Sequence, residues 1–268
     1  MMLDVHHFSY GWSTPLLSYA TSFTGCLLGL QCAARGRHSR THRWSWLGAA
    51  AVAIGGTGVW VMHFVAMLGF SIQGTSIRYD IPLTVASAVV AIVTVGIGLS
   101  LMARPEPSVP AMLGSGAITG LGVAGMHYLG MSAMNSTADI DYDTALVTAS
   151  VLIAVIAAAA ALWFTVRTRG RLATLGAAAV MAIAVSGMHY TGMAAMHAHD
   201  SGTRDTPHGA TPVLLFGPTI AIIGVVTMLL LAAVGTTPQA AAVAGPGGSD
   251  DGAGNEPDRA TSSASLPQ

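Results

Sequence analysis

Lysine is absent from this 268-residue chain, and only 9% of its residues are charged. Soluble domains carry about 25% charged residues, so a water-soluble globular fold is hard to sustain here. Cysteine is nearly absent too: Cys26 and Cys32 are the whole supply. They lie six residues apart in one apolar stretch, where a helix points them roughly 120° apart, which excludes an easy disulfide between them. Both are read as small apolar fillers. No nucleophile has a paired base, and there is no phosphate-binding glycine loop and no basic patch for nucleic acid. Catalysis and nucleic-acid binding are therefore not expected. The opening residues, MMLDVHHFSYGW, contain no arginine. They lack the positive region of a secretory signal, so the first apolar stretch is expected to be retained.

What is abundant is apolar sequence, 52% of the chain. Seven stretches, 12–34, 46–68, 82–103, 110–134, 144–166, 172–196 and 212–234, are each 22 to 25 residues long and almost uncharged. About 20 such residues cross the hydrocarbon of a bilayer as a helix. The expected fold is all-α, a polytopic membrane bundle of seven helices in the lipid bilayer. The expected organisation is a folded part, 8–235, followed by 236–268, whose Pro, Gly, Ser and Ala content and lack of aromatics read as a disordered tail.

Arginine sets the expected orientation. Arg35, Arg37, Arg40, Arg43, Arg104, Arg167, Arg169, Arg171 and Arg259 fall on one side, and Arg78 and Arg204 on the other. The positive-inside bias places the N-terminus outside and the C-terminus in the cytoplasm. The outer side holds Asp4, Asp80, Asp139, Asp141, Asp143, Asp200 and Asp205, a modest attraction for cations.

Within the apolar sequence one motif recurs. GMHYLGM at 125–131 nearly repeats as GMHYTGM at 187–193, and more weakly as VMHFVAM at 61–67. His63, His127 and His189 are spaced 64 and 62 residues apart, each near the end of an even-numbered span. The repeating unit is thus a helical hairpin, present three times, with the seventh span closing the set. Such duplication often places sites at the repeat interface.

On a helix, positions four and seven apart share a face. His127 therefore aligns with Met131 and Met134, and His189 with Met193 and Met196. His63 aligns with Met67, but Phe70 stands in the third place, which makes the first repeat the poorest supplier of ligands. Met62, Met126 and Met188 precede the histidines and project about 100° away. Thioethers together with imidazole suit copper, Cu(I) especially. A histidine inside a span faces the bundle interior and marks a functional site, and three at one depth can converge. Gly125, Gly130, Gly187 and Gly192 are expected to let the helix backbones approach closely. The blander readings are methionine as core filler and histidine as a group pinning helices together. His6, His7, His197, His199 and His208, outside the spans, read as solvated surface, with metal loading as a second option.

These motifs resemble the bacterial MHYT membrane-sensor domain, whose three repeats MHFVAM, MHYLGM and MHYTGM match over about residues 8 to 235. The resemblance implies an integral inner-membrane sensory domain that binds copper through Met62, His63 and Met67, Met126, His127 and Met131, and Met188, His189 and Met193. It implies detection of oxygen, carbon monoxide or nitric oxide at that metal, with a separate cytoplasmic output protein as partner. Tyr128 and Tyr190 match the signature tyrosine; Phe64 replaces it in the first repeat and rules out a hydroxyl there. Two other functions compete. A haem-binding electron carrier would use two histidines as axial ligands. A copper transporter would need ligands along the whole path, yet toward the arginine-rich side Met112 and Met181 are found but no histidine of the motif kind.

Overall fold

The computed structural model describes residues 2–39, 41–104, 108–202 and 207–236. The expected tail beyond 236, together with Arg40, Arg204, Asp205 and Arg259, lies outside the described residues. Among the described residues, seven helical spans are long and apolar enough to cross a membrane. They are α1 (Ser13–His38), a composite second span, α4 (Ile81–Met102), α5 (Val109–Ser132), α6 (Thr144–Arg167), α7 (Arg171–Ala194) and α8 (Pro212–Thr236). The second span runs through α2 (Arg43–Ala51), a π-helix (Val52–Val61) and α3 (Met62–Met67). All seven expected spans are present, and the chain is a multi-pass helical bundle.

Helix starts follow from local chemistry. The Asp80 carboxylate accepts from the Leu83 N–H at 2.8 Å, and Asp143 from Ala145 and Leu146 at 2.8 and 3.0 Å. Each satisfies amides that a helix start leaves without partners. Two of the aspartates counted as acidic surface are therefore N-caps.

The first six spans pack consecutively as antiparallel neighbours, and α1 packs on α7, which closes the ring of three hairpins. Three backbone bonds fasten the hairpins at the histidine end. Gly69, Ala133 and Ala195, each six residues after a motif histidine, accept from Ser9, Asp80 and Asp143 at 2.9, 2.8 and 2.8 Å. Each bond joins the end of one hairpin's second helix to the residues that open its first.

The second span is the hub. In its apolar window 94% of residues are buried, against 39% for α5 and 33% for α7. Its π-helix was not expected, and at ten residues it far exceeds the usual single-turn bulge. Glycines permit it: Gly58 meets Gly25 of α1, and a Cβ on Gly55 would lie 2.7 Å from the Ala91 carbonyl oxygen of α4. The helix α8 is mostly exposed and touches the hub at a buried Thr57–Thr227 hydroxyl pair, 2.9 Å apart.

Short strands cover the histidine end. A three-stranded antiparallel sheet has β1 (Met2–Leu3), β7 (Met196–Asp200) and β6 (Ala138–Tyr142) in that order; β2 (Val5–His6) pairs with β3 (Ser71–Ile72), and β4 (Arg78–Tyr79) with β5 (Met134–Asn135). These strands correct the boundaries of two spans. The helices α5 and α7 end at Ser132 and Ala194, so Met134 and Met196 begin strands, and pairing with Tyr79 and Tyr142 replaces the helical face expected for them.

Candidate metal centre

Each motif histidine rides near the end of a different hairpin, and the bundle brings all three rings together. His63, His127 and His189 are 1%, 0% and 1% exposed. Their Nδ1 atoms form a triangle with sides of 3.0 Å (63–189), 3.2 Å (63–127) and 3.4 Å (127–189). The ring planes stand at 80 to 89° to one another, like the blades of a propeller. Among the described residues this is the one cluster of three or more His, Cys, Asp or Glu side chains close enough to hold a metal ion.

Hydrogen bonding alone does not satisfy such a triangle. The Nδ1 of a neutral imidazole carries either a proton or a lone pair. Three corners and two kinds leave at least one side with two protons or two lone pairs facing at contact distance. All three rings are sealed from solvent. A cation resolves the conflict, because all three lone pairs then point inward. A point equidistant from the three nitrogens lies about 1.9 Å from each, close to the roughly 2.0 Å of a metal–imidazole bond. The donor set fits a metal ion.

The other faces of two rings rest on glycine. A Cβ added to Gly130 would lie 2.7 Å from the Nε2 of His63, and one on Gly192 would lie 2.5 Å from the Nε2 of His127. Each ring therefore lies over the backbone of the following hairpin. Gly125 and Gly187 face open space, which corrects the expectation that all four glycines serve close approach. Only the pair three residues after the histidine does, and its neighbour is a ring rather than a backbone.

The methionines Met62, Met126, Met188, Met67, Met131 and Met193 are all buried, at 3% exposure or less. Met62, Met126 and Met188 adjoin the histidines in the chain, and Met67, Met131 and Met193 lie about one turn further on. Met134 and Met196 are buried as well, but on strands.

A second threefold feature surrounds the triad and was missed in the sequence. Three fully buried serines, Ser18, Ser87 and Ser150, lie one on the first helix of each hairpin. The Tyr128 hydroxyl bonds Ser150 at 2.6 Å, whereas the Tyr190 hydroxyl, near Ser18, is buried with no hydrogen-bond partner. In the first repeat Trp60 takes this role, its indole N–H donating to Ser87 at 2.9 Å. Phe64 joins an aromatic cluster with Trp60, Tyr79 and Phe216 instead. A polar clasp to the next hairpin thus exists in the first repeat, supplied one turn earlier. The serines recur at similar offsets, but among so many small residues their periodicity carries little contrast.

His7 also differs from expectation. Its Nδ1 is shielded from solvent and has no hydrogen-bond partner, and its ring packs 5.7 Å from that of Phe70. Burial, and then the neighbouring His6, push its pKa below the usual histidine value. Next to it, Phe8 packs 5.7 Å from Tyr190. His199 remains at the surface, 3.6 Å from the Asp141 carboxylate.

Comparison with known proteins agrees with this architecture. A family model, MHYT, described as a bacterial signalling protein N-terminal repeat, matches residues 56–115 and 120–178. The copy around His189 lies beyond both matches. The cyclic di-GMP phosphodiesterase NbdA of Pseudomonas aeruginosa is 37% identical over 194 residues, 68% of this chain and 24% of that protein. The bifunctional diguanylate cyclase/cyclic di-GMP phosphodiesterase MucR of the same organism is 42% identical over 156 residues, 56% of this chain and 22% of that protein. Signaling protein YkoW of Bacillus subtilis is 31% identical over 151 residues, 54% of this chain and 19% of that protein. The chain spans about a quarter or less of the length of these relatives. No solved structure matches. With its repeated MHY motifs on a ring of three membrane hairpins, the chain belongs to the MHYT family of bacterial membrane signalling proteins.

Proposed function

We propose that this chain is a copper-binding membrane sensor that detects a diatomic gas, or redox state, at the histidine triad. The observation that carries the reading is the buried Nδ1 triangle, which hydrogen bonds cannot satisfy and a single cation can. Three imidazoles serve zinc as readily as copper; the six buried methionines of the three motifs favour copper. Bound copper would supply a centre that changes redox state and accepts a small ligand. The protein's own part is to hold three rings at fixed spacing, in a site shielded from water. Because each histidine belongs to a different hairpin, a change in ring spacing is a movement of hairpins against one another. Such a movement reaches the arginine-rich ends of the spans, where a separate output protein would read it.

In this reading the triad lies toward the outer face of the plasma membrane, with the N-terminus outside and the C-terminus in the cytoplasm. A haem carrier is less favoured. Axial ligands stand about 4 Å apart with a porphyrin plane between them, whereas these nitrogens are 3.0 to 3.4 Å apart. Transport is less favoured because the histidine ligands gather at one end of the bundle. Elemental analysis and an absorption spectrum of the purified membrane protein test the reading. Copper without a Soret band supports it; zinc alone, or a Soret band, overturns it.

A further inference from the structure

A cavity of about 40 Å³ lies inside the bundle. Val59, Val123 and Val185 line it, and each stands four positions before a motif histidine. Four residues are about one helical turn. The three valines therefore form a layer directly beneath the three rings, and Met188, next to His189, is part of the same wall. The repeat is longer than the MHY motif suggests: it reads V-x-x-M-H in all three copies.

The lining is apolar. Its one hydroxyl, Thr119, is engaged by the Thr94 carbonyl at 3.3 Å, and its one thiol is Cys26. A cavity needs only about 10–15 Å³ to admit a water, but water also needs polar partners, and apolar cavities stay dry and take up xenon or small apolar molecules. On one side the wall is made by Ala157 and Ala161 of α6 and Val185 of α7, all half-buried. That side reaches toward the lipid, where small apolar solutes concentrate. Valine in all three copies keeps the layer short, and leucine at any of the three would reach into the space.

We propose that this cavity is a dry holding site for a small apolar molecule of diatomic-gas size, filled from the lipid and placed immediately beneath the triad. The identity of the physiological ligand rests on the sensor reading above; the existence of the site does not. Xenon is the probe that separates the two. Copper-free full-length protein in lipid nanodiscs, titrated with xenon and followed by xenon NMR, should show saturable binding. Filling the space with Ala158→Leu should weaken xenon binding at least tenfold. Enlarging it with Met181→Ala should strengthen binding severalfold, and this variant decides the matter if the leucine variant fails to fold. Absence of a saturable site in the wild-type protein, or an affinity unchanged by Met181→Ala, overturns the proposal. Xenon binding in a protein that never takes up copper would leave the cavity standing and sink the copper reading. Copper loading without xenon binding would do the reverse.

Discussion

The first repeat and the two later ones carry the same motif in different surroundings. By composition the first is the weakest copy: Phe64 stands for tyrosine, Ala66 for glycine and Phe70 for a methionine. By position it is the central one. Its span is the most buried of the seven, and the Nδ1 of His63 makes the two shortest sides of the triangle, 3.0 and 3.2 Å. The later copies lie on helices that also face lipid, and there Tyr128 bonds the next hairpin directly. The first copy, enclosed by α1, α4 and α8, fills its surroundings with aromatic rings and makes its polar contact through Trp60. Departure from a motif can thus mark the copy at the centre of a pseudo-symmetric assembly, where neighbours on every side impose different packing.

This contrast can be broken by experiment. Counting in-face methionines makes His63 the least important ligand; the triangle makes it at least the equal of the others. His63→Ala should lower copper affinity by more than about 100-fold, since even supporting residues around a metal cost 10–100-fold when lost. The fall should match or exceed that of His127→Ala and His189→Ala, measured by competition with a Cu(I) chelator. A His63→Ala protein that retains copper while the other two lose it would restore the ligand-count view.

Glycine distinguishes positions within a single copy. Gly130→Ala should force the His63 ring to shift, costing about 1–3 kcal/mol of stability by overpacking and roughly tenfold in copper affinity. Gly125→Ala, facing open space five residues earlier, should stabilise its helix by up to about 1 kcal/mol and leave copper unchanged. Thermal unfolding in detergent, with and without metal, reads both. Equal effects at the two positions would contradict the ring-on-glycine contact.

Restoring the signature should not help the first repeat. Phe64→Tyr places a hydroxyl among Trp60, Tyr79 and Phe216 and should cost about 1–3 kcal/mol. Tyr128→Phe removes one bond to Ser150 and should cost only about 0.6 kcal/mol, the average for such bonds inside a membrane. The order of the two melting temperatures checks this, and a stabilised Phe64→Tyr protein would show that the aromatic cluster has room for a polar group.

Much of the fold is legible in the sequence, because the bilayer imposes one length and one polarity on each span. Starts and ends agree within three residues except where α1 runs on to His38. The convergence of three histidines follows from their spacing and equal depth. What stays hidden depends on neighbours distant in sequence. Within the π-helix, Gly58 and Gly55 meet the backbones of α1 and α4. Met134 and Met196 leave the helices because strand partners at Tyr79 and Tyr142 claim them. The burial of His7 depends on Phe70, 63 residues away, and no local pattern announces it.

The copper content of the purified wild-type protein beside that of a His127→Ala/His189→Ala double variant tests the shared triad most directly. Alanine is apolar and removes the cost of burying imidazole, so the variant should insert and fold. The triad predicts a single copper ion per wild-type chain and almost none in the double variant. Full copper occupancy in the double variant would contradict it, and the three histidines would then be groups that pin the helices together.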